Sequence, residues 1–263
     1  MERITSRENP QIKQLIKLIT QKKERTRTGL FVAEGARIAA DAVKSGLAVE
    51  QLFLTPQAGE RYPQETALLT EKAQKIYEIT PELAQKIADT NTPQGVFCVL
   101  PMLDNHFQTA TIWGTGHYLV LCSLQDPGNL GTIIRSCEAF GIDRLFLTSD
   151  CPDLYSPKVL RATMGGVFRL PITVADNLPD LFERFRREKV PVYAAALQEG
   201  AKDITRLPLN QGGAVVIGNE GKGLPLEVVA LCDSAVIIPM AGRAESLNAS
   251  VAASIVAWEM ARP

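Results

Sequence analysis

The sequence predicts an α/β protein with two units: a smaller α/β unit at the amino end and a parallel-sheet unit at the carboxyl end. Short β-branched or apolar runs alternate with helical patterns along most of the chain. The alternation lapses once, over PMLDNHFQTATIWGTGH at 101–117, which has no sustained period and holds Pro, Asn and Gly. A length of 263 residues suits one large domain or two modest ones. The expected organisation is therefore a domain over 1–101, a linker over 102–117 and a second domain over 118–263.

In the first unit, Ile12, Leu15, Ile16 and Ile19 follow helical spacing from Pro10, with Lys13, Lys17 and the run QKKERTRTG on the other side and beyond it. LFVAEG, VEQLFLT, KIYEIT and GVFCVLP read as strands, and ARIAADAVKSG, the stretch from Gln64 to Lys75 and PELAQKIADT as helices. Positions 1–30 hold eight basic residues against three acidic ones, in a chain whose formal net charge is only -1. Such a patch can track phosphates, with Arg3, Arg7, Lys13, Lys22, Lys23, Arg25 and Arg27 as candidate contacts; it equally describes a solvated helix face beside a loop.

Composition removes several classes of function. Hydrophobic residues make up 46% and charged residues 22% of the chain, and no apolar run is long enough to span a bilayer. MERITSRENPQIKQLIK lacks the apolar core of a secretory signal, so a cytoplasmic protein is expected. Cys98, Cys122, Cys137, Cys151 and Cys232 are odd in number and widely spaced, which suits reduced core thiols over a disulfide framework or a metal site. With only His106 and His117, and without HExxH, paired CxxC or GxSxG, metallohydrolase and Ser-His-Asp chemistry lose their usual carriers.

In the second unit YLVLCSL, DRLFLTS, VPVYAAA, AVVIGN and AVIIPM read as strands covered on both faces, hence a doubly wound parallel sheet. Ligands gather beyond the carboxyl ends of such strands. Three of these ends carry unusual residues. After YLVLCSL comes QDPGNLGT and a helix from near Leu130, whose Leu130, Ile133, Ile134 and Cys137 share an arc while Arg135 lies about 140° from Leu130. Arg135 thus faces away from the core, with Gly131 leaving space above it; it reads either as a phosphate clamp near the helix start or as a surface arginine beside Glu138. The second end, IGNEGKGLP, places Gly218, Gly221 and Gly223 around Asn219, Glu220 and Lys222, without the spacing of a Walker loop or a GxGxxG fingerprint. The third, IPMAGRAESLNASVAASIVAWEMA, ends its strand at Pro239, offers Ser246 as a cap, and continues as a helix with apolar and small residues on several faces, for which a partner subunit is the simplest cover.

Taken together, Asn129, Gly131 and Arg135 as N-x-G-x-x-x-R, then IGNEGKGLP, then IPMAGRAESLNASVAASI, resemble the three ordered motifs of the SpoU (TrmH) branch of the SPOUT methyltransferases, across residues 118–262. The amino-terminal unit resembles, more loosely, the ribosomal-protein-like RNA-binding domain that accompanies many ribosomal RNA enzymes of that family. The resemblance implies methyl transfer from S-adenosylmethionine to a ribose 2′-hydroxyl of RNA, ribosomal RNA before transfer RNA, in a homodimer whose carboxyl-terminal segment forms a deep trefoil knot. It implies cofactor contacts at Gly218, Asn219, Glu220, Gly223, Ile238, Pro239, Met240 and Leu247, and catalytic positions at Asn129, Arg135, Glu220, Ser246 and Asn248. SLNAS stands where SLNVS is commoner, a loss of bulk at Ala249 that bears on packing. The competing expectations are a silent RNA-binding or ribosome-assembly factor on the same fold, and a Rossmann oxidoreductase, to which the missing GxGxxG is a direct objection.

Overall fold

The structure, a computed structural model, describes residues 1–263, and the chain divides into two compact units. One comprises Met1–Leu103 with Asp153–Phe168, the other Asp104–Pro152 with Arg169–Pro263.

The first unit is built from β1 (Glu2–Ile4), α1 (Pro10–Thr20), α2 (Lys22–Thr28), β2 (Leu30–Glu34), α3 (Ala36–Lys44), β3 (Val49–Leu54), α4 (Pro56–Arg61), α5 (Pro63–Lys72), β4 (Ala73–Ile79), α6 (Pro81–Ile87) and β5 (Val96–Pro101). Its sheet has the order β1-β4-β3-β5-β2, with β5 antiparallel to both neighbours. Asn9, Thr55 and Thr80 start α1, α4 and α6 by accepting a backbone N–H, each followed by proline, whose missing N–H costs nothing there. α1 buries Ile12, Leu15, Leu18 and Ile19, so Leu18 takes the core place that spacing gave to Ile16.

The basic segment divides by environment. Arg25 is only 4% exposed. Its Nη1 donates to the carbonyls of Leu18 and Ile19 at 2.6 and 3.0 Å, and its Nε and Nη2 reach the Asp153 carboxylate. Expected as a phosphate contact, Arg25 is instead a structural residue: it satisfies the orphan carbonyls at the end of α1 and neutralises a carboxylate 128 positions away. Arg3 pairs with Glu78, Lys13 with Glu8 and Arg27 with Glu24, the cation being exposed in each pair. Arg7, Lys22 and Lys23 are exposed and make no ion pair.

The second unit runs through β6 (His117–Leu121), α7 (Pro127–Ala139), β7 (Arg144–Thr148), then, after the excursion that holds α8 (Pro157–Thr163), β8 (Ile172–Ala175), α9 (Leu178–Arg187), β9 (Val192–Ala195), β10 (Lys202–Asp203), β11 (Gly213–Ile217), α10 (Leu226–Leu231), β12 (Ser234–Ile237) and α11 (Ala249–Ala261). Seven parallel strands lie in the order β10-β12-β9-β11-β6-β7-β8, two more than the apolar runs announced. Tyr118, Phe146 and Phe185 fill the core beneath them. The stretch read as a linker is held to this unit: Ala110 is buried, Phe107 and Ile112 pack on the core, and Arg184 donates to the Phe107 carbonyl at 2.6 Å. His117 opens β6 beside Asp143.

Asp153–Phe168, although it follows β7 in sequence, belongs to the first unit. Tyr155 packs its ring, tilted, against Phe31 with centroids 4.8 Å apart, and Arg161 of α8 pairs with Asp89 at 2.7 Å. The cysteines are free thiols, and burial pushes Cys98 up to about 12. No helix is long and apolar enough to cross a membrane.

Candidate active site

Because all seven strands of the second unit are parallel, their carboxyl ends line one edge. From β6 the chain moves outward to β7 and β8, then returns to β9 and β11 on the other side of β6. The order reverses between β6 and β11, where an open α/β sheet leaves a crevice for ligands.

Two of the sequence motifs meet there. After β6 the chain turns at Ser123 and enters α7, which starts three residues earlier than expected: Asp126 accepts the Asn129 N–H and Pro127 follows. Glu220, from the loop after β11, faces this turn. Its Oε2 accepts the Gln125 N–H, and its Oε1 accepts the Asp126 N–H and Asn129 Nδ2, each at 3.0 Å. Partial burial pushes the Glu220 carboxyl up, but the Asn129 amide and the two backbone N–H groups outweigh that and hold it below the ordinary carboxylate range. Glu220 is therefore an ionised acceptor with both oxygens engaged.

The third motif joins through Asn248, whose Nδ2 donates to Asn129 Oδ1 at 3.1 Å. Asn248, rather than Ser246, caps α11, its Oδ1 accepting from Ser250 N and Oγ and from Val251 N. The capping oxygen simply lies two residues further along; Ser246 is exposed in the preceding loop. A carboxylate accepts only, so the NH2 of Asn129 must face Glu220 and its oxygen Asn248. Each Asn amide retains one N–H, and Asn129 Oδ1 a lone pair, for a ligand.

The loop after β11 is closed on itself. Asn219 and Gly223 exchange both backbone bonds, at 3.0 and 2.9 Å, and Asn219 Oδ1 accepts the Gly221 and Lys222 N–H groups. A Cβ at Gly218 would stand 2.4 Å from the Gly223 carbonyl carbon, so only glycine fits. Gly223 has φ 67°, the left-handed region that glycine enters without cost. Beyond β12, Pro239–Ser246 is exposed throughout, and Ile238 and Leu247 are half-buried. One further exposed apolar residue at this edge lies outside the motifs. β9 lies between β11 and β12, so Leu197, just past its end and 72% exposed, shares this edge with Met240, which is 37% exposed.

Arg135 stands on the flank of α7. Asn129, Ser136 and Phe140 face α11, meeting Asn248, Ser254 (2.8 Å between hydroxyl oxygens) and Trp258 (5.6 Å between rings). This register makes α7 and α11 parallel neighbours whose positive amino ends lie together. Arg135 is one step round the helix from Ser136, exposed, and without hydrogen bond or ion pair. The carboxylate beside which it could have been an ordinary surface cation, Glu138, is taken by Arg169 at 2.7 Å. It lies roughly 9 Å along the axis and about 120° round the helix from Asn129, with its side chain leaning towards the amino end.

The family model described as "SpoU rRNA Methylase family" matches residues 116–258, and that described as "MRM3-like substrate binding domain" matches 9–98. The "23S rRNA (guanosine(2553)-2'-O)-methyltransferase RlmP" of Bacillus subtilis is 34% identical over 260 residues, 99% of each chain. The "AdoMet bound rRNA methyltransferase from Sinorhizobium meliloti" superposes with TM-score 0.87 at 33% identity, covering 99% of this chain and 97% of its own. The "SpoU Methyltransferase AviRb from Streptomyces viridochromogenes in complex with the cofactor AdoMet" superposes with TM-score 0.85 at 29% identity, covering 97% of each chain.

Proposed function

The chain belongs to the SpoU rRNA methylase family, and from that premise we propose that it transfers a methyl group from S-adenosylmethionine to a ribose 2′-hydroxyl of ribosomal RNA. The observation that carries the reading is the convergence of Asn129, Glu220 and Asn248 in one hydrogen-bonded set at the reversal of strand order, on the helix that also carries the exposed Arg135.

The residues present fit the cofactor. Gly218 lets the loop after β11 fold tightly back on Gly223, and the exposed apolar side chains of Leu197 and Met240 follow the adjacent strands β9 and β12, on either side of where a flat adenine could lie. Asn219, Glu220, Gly223, Ile238, Pro239 and Leu247 would complete the cradle, largely through backbone groups. S-adenosylmethionine, when bound, supplies an already activated methyl on a sulfonium sulfur, so alignment of the incoming oxygen and exclusion of water are the protein's share.

Arg135 and the paired amino ends of α7 and α11 hold an RNA phosphate, and the guanidinium stabilises the negative charge that grows on the 2′-oxygen. Asn129 and Asn248 orient the ribose with their remaining amide groups, and Ser246 lies in the loop that covers it. Glu220 acts as a positioning residue, because its oxygens are spent on the Gln125–Asn129 segment. Of the candidate contacts in the first unit, Arg7, Lys22 and Lys23 are without an ion pair and would make sequence-neutral phosphate contacts, with Arg3, Lys13 and Arg27 secondary because each already has an acidic partner. Domain roles follow: residues 1–101 bind RNA and 118–263 carry methyl transfer.

We further assign a homodimer, a cytoplasmic location and a knotted carboxyl-terminal segment, all supported by the family premise. Dimerisation has physical support as well. Val251 and Trp258 of α11 are 47% and 52% exposed and line a shallow groove with Thr132, Phe140 and Ile255. Burying a tryptophan and its neighbours gains about 2–3 kcal/mol per side chain. Trp258→Glu is expected to convert the dimer to a monomer in light scattering at micromolar concentration; an unchanged mass would remove this face from the interface.

Mapping 2′-O-methyl groups in cellular RNA with and without the protein tests the activity. The expected result is one ribosomal RNA site lost. A lost transfer RNA site would move the substrate class, and no lost site together with no calorimetric binding of S-adenosylmethionine would leave a silent RNA binder.

A further inference from the structure

Ser123 joins β6 to the loop that Glu220 grips, and it is one of only three non-glycine residues with positive φ, at 55°. A serine gains nothing intrinsic from that conformation, so its surroundings must impose it. They do so from both neighbouring strands. On the β7 side the Ser123 N–H donates to Thr148 Oγ1 at 2.9 Å, and the same hydroxyl donates its one proton to Asp150 Oδ1 at 2.5 Å. On the β11 side the Ser123 carbonyl accepts Asn219 Nδ2 at 2.9 Å. Just before the turn, the Cys122 N–H still bonds to the Ile217 carbonyl; just after it, Leu124 is fully buried. The direction in which Gln125 and Asp126 present their N–H groups to Glu220 is thus set at a single left-handed residue clamped by Thr148.

We propose that Thr148, braced by Asp150, is a positioning residue of the methyl-transfer site. Its hydroxyl holds Ser123 in the left-handed turn and so fixes where Glu220, Asn129 and the start of α7 stand. The hydroxyl serves as acceptor and donor at once, and Asp150 orients it by taking the proton. The Asp150 carboxyl is pushed up by partial burial but held lower on balance by the hydroxyls of Ser123 and Thr148, so at neutral pH it is ionised and can only accept. Nothing in the Thr148 side chain reaches Asn129 or Arg135; it acts through the backbone. Valine has nearly the same shape and can neither accept nor donate, whereas serine can do both.

The inference rests on the methyltransferase reading, so its test includes a measurement that needs no RNA. The full chain is compared as wild type, Thr148→Val, Thr148→Ser and Asp150→Asn. In hydrogen exchange, Thr148→Val is expected to speed the amides of Ser123, Gln125 and Asp126 by about tenfold or more, while Thr148→Ser restores protection and Asp150→Asn lies between. With unmodified ribosomal RNA and labelled S-adenosylmethionine, Thr148→Val is expected to lower kcat by about tenfold. Thr148→Ser is expected to stay within about threefold of wild type, with the calorimetric Kd for S-adenosylmethionine unchanged. Unaltered exchange at those three amides in Thr148→Val overturns the proposal whatever the RNA assay gives. So does a loss of kcat in which Val and Ser behave alike and follow thermal stability. A wild type that protects these amides yet labels no RNA refutes the methyltransferase reading and leaves the clamp standing as a structural one.

Discussion

Glu220→Gln is expected to lower kcat about 100-fold while leaving the affinity for S-adenosylmethionine within about threefold. The carboxylate receives three donors, the N–H groups of Gln125 and Asp126 and the amide of Asn129. Glutamine has one acceptor oxygen, and whichever way it turns, its NH2 confronts another donor. A donor left without its acceptor costs about 1–3 kcal/mol when water cannot replace it, so the segment shifts and Asn129 loses its fixed orientation. The loop after β11 survives the change, because its own bonds run through Asn219 and Gly223 and not through the Glu220 side chain. That is why turnover falls and cofactor binding does not. The pH dependence has a definite sign. The folded-state pKa of Glu220 lies below its ordinary value, so the contribution of the carboxylate is complete at neutral pH. It is lost only as acidification passes below the range where a free carboxyl titrates. Single-turnover rates and calorimetry on the variant check both halves, and near wild-type turnover would show that the three bonds do not set the geometry of reaction.

Much of this arrangement was legible in the sequence, and what was not has identifiable causes. The helical spacing of Ile12, Leu15 and Ile19 located α1 and its buried face, and the apolar runs located five of the seven parallel strands. β10, with two residues, is too short to establish a period, and β8, as long as the recognised β9 and β12, has its apolar run interrupted by Thr173. The start of α7 carried a readable signal, an aspartate followed by proline, which was outweighed by the apolar arc that begins at Leu130. At α11 both Ser246 and Asn248 are good caps, and only the position of Oδ1 against Ser250 and Val251 decides between them. Arg25 looked like its basic neighbours because its partner, Asp153, lies far off in sequence. Leu197 was missed for a related reason: sequence order gives the strands but not the sheet order that sets β9 between β11 and β12. The residues proposed to carry the chemistry stand out as motifs, whereas the division of labour proposed for Glu220 and Arg135 depends on which is already bonded and which is free.

Arg135→Lys is expected to retain about 1% of wild-type turnover, and the pH profile of what remains distinguishes two roles for the arginine. A guanidinium carries its full positive charge near neutrality and does not take a proton from a ribose hydroxyl, so the role proposed for it is a fixed cation with a planar fork. Lysine keeps the charge but presents it as a single point, which loses the two-pronged hold on a phosphate and the alignment that depends on it; a loss of about 100-fold corresponds to about 2.7 kcal/mol. Surrounding structure offers the lysine no compensation, since Glu138 on the same helix is engaged by Arg169 and residue 135 itself has no neighbour to hold it. If the side chain clamps phosphate and stabilises the forming alkoxide, activity of the lysine variant falls as pH rises through the ordinary lysine range near about 10.4, because the charge that does the work is removed. Were residue 135 the general base, the same titration would create the neutral amine that accepts the proton, and activity would rise over the same range. The two signs are opposite, and both are read from kcat/KM against pH for one variant. A profile that climbs with deprotonation, or a lysine variant as fast as wild type, would end the clamp assignment; a profile that falls leaves the base to be sought among the other groups that reach the crevice between β6 and β11.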